Sequence, residues 1–286
     1  MNKFGYSTDS KKFEIDPAFL EKGLAAAAKG KYSSIRIRAQ DSIDSKAAPL
    51  DIGILSRHPW IKGLTVNTEI RISKADFPLL ERLTQLEELN VREHAPLDFA
   101  SFPHLKELVL IEGTEFRGLE KVPSVRLLYL SKWKSAHLPP NVRMIRAPRV
   151  RVSASRKLED VDFLYENKHI NNLMLQDLTA LHVSKTMNRL VLDQLHIEKV
   201  NSGDFNQFES DSLRKLFIWK LESLKFIRKL KVLEELFFWE LLDGDMTPAL
   251  DHPTLKEISF APEKQHYSHK LQYLLDQLHA KHSRKR

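Results

Sequence analysis

The chain contains no cysteine among its 286 residues. It therefore has no disulfide framework, and a structural zinc site would have to be built from histidines alone. The first residues lack the apolar run of a signal peptide, and no window approaches ~18 consecutive apolar residues. We therefore expect no membrane-spanning helix and a cytoplasmic location.

Sequence motifs for common enzyme chemistries are also missing. There is no Gly-rich phosphate loop, no G-x-S-x-G and no H-E-x-x-H. The acidic residues recur at one register of a repeated segment, which is typical of a solvated strand face and not of a paired-carboxylate site: Glu87-Glu88, Glu107, Glu234-Glu235 and Glu257. We expect no enzymatic activity and no cofactor.

Twelve histidines raise the question of a metal site. His266 and His269 are three residues apart, and so are His279 and His282. On one helix the two pairs would lie roughly 20 Å apart, at 1.5 Å per residue. They could not share an ion, so we interpret them as polar surface residues and expect no metal.

A short apolar pattern dominates what is present. The segment from Leu213 to Leu221 reads LRKLFIWKL, and the segment from Leu233 to Leu241 reads LEELFFWEL. Each apolar residue of the first copy has an equivalent 20 positions later (233 − 213 = 20). A period of this length indicates a stacked solenoid, in which each unit buries its apolar side against its neighbours.

The L-x-x-L-x-L pattern predicts about eleven short strands in a parallel sheet, with irregular repeat lengths. In the middle of the chain, Val150-Arg-Val152 competes with 142–147 for the sixth strand. Residues 153–168 and 198–211 are interpreted as longer connections. The predicted strands lie at 35–37, 61–66, 86–91, 105–110, 125–130, 142–147, 170–175, 187–192, 213–218, 233–238 and 255–260.

Helices are predicted to flank this solenoid. Asp16-Pro17 is a good helix start and Gly30 a good stop, so we predict a helix at about 17–29. Apolar residues recur at helical spacing over 271–278 and predict a C-terminal capping helix, with a basic tail at 282–286. The predicted organisation is one α/β solenoid domain with flank 1–34, repeats 35–262 and flank 263–286.

The repeats resemble the leucine-rich-repeat family over roughly residues 60–261, on the L-x-x-L-x-L segments above. The family pattern places Asn five residues after the second Leu, and this chain has other residues at that position. In the later repeats they are Leu178, Leu195, Leu221 and Leu241, and in the earlier repeats they are His94, Gly113 and Trp133. An apolar ladder should therefore replace the asparagine ladder and give uneven curvature. The pattern is similar to irregular bacterial leucine-rich-repeat proteins, some of which are immunity proteins that accompany secreted or contact-delivered toxins.

Strand alternation predicts which side chains face solvent on the sheet. The position between the inward residues reads Arg36, Thr65, Asn90, Val109, Tyr129, Arg146, Met174, Val191, Phe217, Phe237 and Ser259, and the position two further on includes Ile111, Trp219 and Trp239. Aromatic residues on a solvent-facing surface are favoured as interface anchors. The alternative interpretation is that a terminal element or loop folds over these rings.

Charge adds a weaker indication. The net charge is +7, which favours encounters with acidic partners. The densest basic run, which contains Arg143, Arg146, Arg149, Arg151, Arg156 and Lys157, could contact phosphates, face an acidic protein or form a solvated edge.

The sequence thus predicts a non-enzymatic protein-binding module, and most concretely an immunity protein neutralising a bacterial toxin or effector. It leaves the oligomeric state open and favours a monomer. Its concave sheet face would bind an acidic protein through Tyr129, Arg146, Arg189, Lys215, Phe217, Trp219, Phe237 and Trp239. The alternative is a nucleic-acid-binding protein that uses residues 143–157.

Overall fold

The computed structural model of the protein describes residues 3–39, 50–67, 70–91, 97–111, 116–122, 125–138, 140–143, 145–159, 161, 163–182, 185–201 and 207–283. His94, Gly113 and the last three residues of the basic tail lie outside this part. The chain forms two compact units. The first comprises Met1–Ser131 and Pro139–Ala147, and the second comprises Lys132–Leu138 and Pro148–Arg286. The predicted boundaries between flanks and repeats stay predictions.

The first unit is built on a sheet that begins with a hairpin and continues with parallel strands. Strands β1 (Phe4–Ser7) and β2 (Lys12–Ile15) pair antiparallel, and β2 then pairs parallel with β3. The parallel series is β3 (Ser34–Ile37), β4 (Gly63–Val66), β5 (Glu88–Val91), β7 (Glu107–Ile111) and β9 (Leu127–Ser131), and a separate two-stranded sheet joins β6 (Leu97–Asp98) and β8 (Phe116–Arg117). The sequence pattern did not predict the hairpin, which adds a strand pair ahead of the first repeat.

Short helices follow the strands of this unit. They are α1 (Leu20–Lys29), α2 (Ile52–Leu55), α3 (Phe77–Leu80) and α4 (Pro140–Arg143), with 3-10 turns at Pro17–Phe19, Lys74–Asp76, Phe99–Ser101 and Leu119–Lys121. The N-terminal helix matches its prediction. The Asp16 carboxylate accepts a hydrogen bond from the Ala18 N–H at 2.9 Å, and the helix ends at Gly30.

The second unit repeats the arrangement with longer strands. Its parallel strands are β10 (Arg149–Ser153), β11 (Asn172–His182), β12 (Gln194–Asn201), β13 (Lys215–Leu221), β14 (Glu235–Leu241) and β15 (Glu257–Phe260). The helices are α5 (Phe163–Glu166), α6 (Thr247–Asp251) and α7 (Leu271–Ser283), with 3-10 turns at Lys185–Arg189 and Lys225–Lys229.

Two predicted strands were wrong. The described residues of 142–147 are not a strand, because α4 occupies 140–143 and residues 145–147 are coil. The competing segment 150–152 lies in β10 instead. Residues 187–192 belong to a return segment that starts with a 3-10 turn, and the strand is β12, seven residues later. Both errors have one cause. Return segments also bury Leu, Met and Val at similar spacing, so the apolar pattern alone does not separate them from strands.

The inward positions of each strand form the core. Leu173, Leu195, Leu216, Leu236 and Ile258 are buried and lie side by side in register. The predicted apolar ladder is confirmed at Leu178, Leu221, Leu241 and Trp133, which are buried. Leu195 is a strand residue and does not belong to that ladder, where Val200 takes its place beside Leu178. This architecture of parallel strands and short returns is a solenoid of leucine-rich-repeat type.

The C-terminal helix closes the second unit at its last strand. Leu274 and Leu278 are fully buried, and α7 packs on β15. The Lys281 ammonium donates hydrogen bonds to the carbonyls of Leu250 and His252, both at 2.8 Å, and fixes the end of the helix on the last return segment. Over the described residues, no helix is long and apolar enough to cross a membrane.

Candidate functional site

Aromatic side chains line the solvent side of the sheet in the second unit. Leu216 and Ile218 of β13 point into the core, so Phe217 and Trp219 lie on the opposite face. Strand β14 repeats the arrangement, with Phe237 and Trp239 on the solvent side. Trp239 is 40% exposed, and the other three rings are partly exposed.

The four rings stack in two rows because their strands are in register. Phe217 pairs with Phe237, and their ring centroids are 4.3 Å apart with planes 9° from parallel. Trp219 and Trp239 stack at 4.8 Å and 5°. These separations are close to the ~4.8 Å strand spacing, so the backbone itself sets the stacking distance. The site is a preformed aromatic surface on a rigid sheet.

The structure adds a histidine to the phenylalanine row. His196 of β12 lies beside Phe217, with a centroid distance of 3.8 Å. Burial lowers its pKa, and the nearby Glu198 carboxylate partly opposes that effect at an Nε2–Oε2 distance of 3.7 Å. The apolar repeat pattern did not indicate His196, because it predicts the strand at 187–192. The Gln194-Leu-His-Ile197 alternation was the signal that could have revealed it.

A groove of about 750 Å³ runs over the phenylalanine row. Its floor includes Met174, His196, Phe217, Phe237 and Ser259, and α7 contributes Leu271, Leu275 and His279 along one side. Helical spacing explains why α7 contacts both the core and the groove. Leu274 and Leu278 face the core, while residues at 271, 275 and 279 share the neighbouring face and meet the groove. Among the described residues, α7 borders the rings and leaves the groove open beside them.

Charged and amide side chains at the groove rim pair mainly with each other. The Lys215 ammonium contacts the Glu235 carboxylate at 2.7 Å, and this hydrogen bond raises the pKa of Lys215. The Asn172 amide donates to Gln194 at 2.7 Å. These pairs hold the side chains at the edge and leave the centre of the groove apolar.

A second polar edge borders the tryptophan row. The Gln176 amide donates to the Glu198 carboxylate at 2.9 Å. Lys220 and Lys264 flank Glu240, and the hydrogen bond from Lys264 lowers the pKa of that carboxyl group. The tryptophan row thus lies next to paired charges, an arrangement typical of an apolar interface centre with a polar rim.

The structure brings together five of the eight predicted site residues. Phe217, Trp219, Phe237 and Trp239 form the surface described above, and Lys215 lies at its edge. Tyr129 occupies its predicted position on β9, in the first unit, where it pairs with Val109.

The two predicted arginines are not on the sheet face. Arg146 lies in coil after α4, and its carbonyl accepts a hydrogen bond from the Val125 N–H at 3.0 Å. Arg189 ends a 3-10 turn in a return segment, with its guanidinium 5.1 Å from the Tyr165 ring centroid. In these two repeats the strand residues that face solvent are therefore Arg151 and His196, and not the predicted Arg146 and Val191. Val191 is 75% exposed and lies outside the described strands. Ile111, which was also expected to face solvent, is buried at the end of β7.

The residues of the basic run are divided between the two units. Arg146 belongs to the first unit, and Arg149, Arg151, Arg156 and Lys157 belong to the second. Arg151 donates to the Gln176 side chain at 3.1 Å, and Arg156 pairs with Asp177 at 3.2 Å. Two of these cations are thus engaged within the protein, which weakens the interpretation of the run as a phosphate-binding surface.

The described histidines include several that bond to the backbone. The ring Nε2 of His266 lies 3.0 Å from the Leu241 carbonyl, and that of His282 lies 2.7 Å from the Leu255 carbonyl. Within the described ranges, no three His, Asp or Glu side chains are grouped as metal ligands would be.

Comparison with known proteins yields a fold resemblance. No family model and no curated protein sequence matches the chain. Among solved structures, the chain is similar to an internalin (inlF) from Listeria monocytogenes, with 14% sequence identity and a TM-score of 0.47. The match covers 85% of this chain and 69% of the internalin chain.

Proposed function

We propose that this protein is a binding module that captures a protein partner on the aromatic face of its second unit. We define this face as His196, Phe217, Trp219, Phe237 and Trp239. The observation that carries the proposal is the pair of stacked aromatic rows, partly exposed and fixed at strand spacing. Such rings contribute a large contact area with few torsions to immobilise, which suits interface anchors.

The surroundings of this face support a protein partner. The charges at its edges are mostly paired, and the groove floor is mainly apolar, as in interfaces that exclude water from a central cluster. The net charge of +7 favours an acidic partner at long range. A toxin or effector that the protein neutralises as an immunity protein is the most concrete version of this function, and we propose it on the resemblance of the repeats.

The test compares binding and folding in matched variants. The purified protein serves as bait to recover its partner from the source cell, and the affinity of the isolated partner is then measured for Trp219→Ala and Trp239→Ala. Each change should weaken binding by about 2 kcal/mol or more, which is roughly a 30-fold rise in Kd. Val191→Ala truncates an apolar side chain that is more exposed than either tryptophan and lies outside the described strands, so it is the control and should bind normally.

Two further measurements decide between interpretations. Binding that tolerates high salt supports an apolar protein interface, whereas a steep fall with salt and capture of nucleic acid would support the phosphate-binding alternative. Normal affinity in both tryptophan variants would refute the proposed site. Protection of cells from a toxin partner by the unaltered protein, lost in the tryptophan variants, would support the immunity function.

A further inference from the structure

The phenylalanine row stops one strand before the sheet ends. Phe217 stacks on Phe237, and the next residue in register is Ser259 of β15. Serine is too small to form another rung. One face of the Phe237 ring is therefore covered by Phe217, and the other borders the space above Ser259.

Helix α7 makes this space a slot. Leu271 and Leu275 of α7, the Phe237 ring and Ser259 all line the same groove. Ser259 is exposed at the base of the slot, and the two leucines are partly exposed along its far side. A flat group inserted here would stack on Phe237 as the next rung, at the same spacing of ~4.8 Å that the strands impose.

A carboxylate stands at the mouth of the slot. Glu257 precedes Ser259 by two residues on the same face of β15, about 7 Å along the strand. Its side chain is exposed and lines the groove, and in the described part of the chain it forms no ion pair. Its neighbour Glu235 is occupied by Lys215 at 2.7 Å. Glu257 therefore offers a negative charge to a ligand, while the nearby Lys215 ammonium is engaged by Glu235.

Three properties are thus combined: a free aromatic face, an aliphatic wall and an unpaired carboxylate. An arginine side chain matches all three. Its planar guanidinium stacks on aromatic rings and pairs with carboxylates, and its methylene stem packs on apolar surface. Lysine lacks the planar group, and a phenylalanine side chain would leave the carboxylate without a partner.

We propose that this slot binds an arginine side chain of the protein partner. The inference rests on the proposed function, which it deepens by specifying one residue that the partner presents. The overall positive charge governs the approach of the partner, whereas the slot selects the side chain that enters it.

The test uses a small probe, N-acetyl-arginine-N′-methylamide, and the full-length protein labelled with ¹⁵N. NMR titration should show dissociation constants on the order of 1–10 mM, with shifts centred on the amides of Phe237, Glu257 and Ser259. The lysine and phenylalanine analogues should bind at least about fivefold more weakly. Glu257→Gln should weaken the arginine probe about fivefold or more, and Ser259→Phe, which fills the slot, should abolish the localised shifts.

Controls separate the slot from general effects. Glu209→Gln removes an exposed carboxylate elsewhere in the second unit and should leave probe binding unchanged. If Ser259→Phe alters the fold, as judged from its spectrum, the conservative Glu257→Gln variant still decides the matter. Absence of shifts at the slot, equal binding of the phenylalanine analogue, or no effect of Glu257→Gln would each overturn the inference.

The inference and the proposed function can fail separately. If the arginine probe does not bind while partner affinity still depends on Trp219 and Trp239, only the arginine slot is refuted. If the tryptophan variants bind the partner normally, the proposed function fails and the partner-arginine proposal fails with it, even where the probe occupies the slot.

Discussion

Two adjacent residues of β14 provide a direct test of the strand orientation on which the site depends. Phe238 points into the core and is fully buried, with the rings of Phe260 and Tyr267 at 5.2 Å and 6.4 Å. Trp239 points to the other side and is 40% exposed. Truncating each to Ala makes a similar chemical change one residue apart on the same strand.

The expected costs differ because the surroundings differ. Phe238→Ala removes a ring from a closed space and should lower the free energy of unfolding by about 3–5 kcal/mol. Trp239→Ala mainly loses its stacking on Trp219, worth about 0.5–1.5 kcal/mol, and leaves no closed cavity. We expect its total cost to stay below about 2 kcal/mol.

Equilibrium urea denaturation followed by circular dichroism measures both costs against the unaltered protein. The order of the two midpoints is the informative result. Equal destabilisation by the two variants, or a loss below about 1 kcal/mol for Phe238→Ala, would refute the orientation of β14. The aromatic face would then have no structural basis as a binding site.

Three further predictions concern the cap, a buried histidine and a turn. Deleting residues 271–286 removes Leu278 from the end of the second unit and should promote aggregation, checked by size-exclusion chromatography; an unchanged monomer with the same melting temperature would contradict it. Burial lowers the pKa of His252, which is 1% exposed and sits 3.0 Å from two backbone carbonyls, below its ordinary 6.5. The unfolded chain therefore binds more protons, so stability should fall as the pH drops through about 6.5, and His252→Gln should show a smaller fall in urea titrations at pH about 7.5 and about 5.5. Gly118→Ala should lower the free energy of unfolding by more than about 1 kcal/mol in thermal unfolding, because Gly118 has φ +70° and an added Cβ would lie 2.1 Å from the Asp98 carboxylate. Gly53→Ala is the control, because Gly53 has an ordinary φ and should lose less stability.

The repeat sequence determined the alternation in β13 and β14. With Leu216 and Leu236 committed to the core, Phe217 and Phe237 had to face solvent, and the 20-residue period had to bring them into register. The N-terminal helix followed from Asp16 and Gly30 by the same kind of local rule. These features depend on residues close together in the sequence, so the sequence alone predicts them.

Where two segments carry similar apolar patterns, only tertiary packing decided between them. Segments 142–147 and 187–192 match the strand pattern, yet their described residues lie in return segments, because the parallel sheet pairs β10 and β12 with their neighbours instead. Arg146 and Arg189 left the sheet face for this reason, and His196 joined it.

In the C-terminal helix, too, the sequence predicts some features and only tertiary packing decides others. Its apolar spacing predicts a helix and a buried face, and Leu274 and Leu278 are buried accordingly. Nothing in that spacing indicates that Leu271 and Leu275 border the space above Ser259, since this depends on how α7 packs against β15 some residues earlier in the chain. The sequence by itself determined which residues are apolar and how they repeat, and the packing of the last helix on the last strand decided that one ring face of Phe237 is left open.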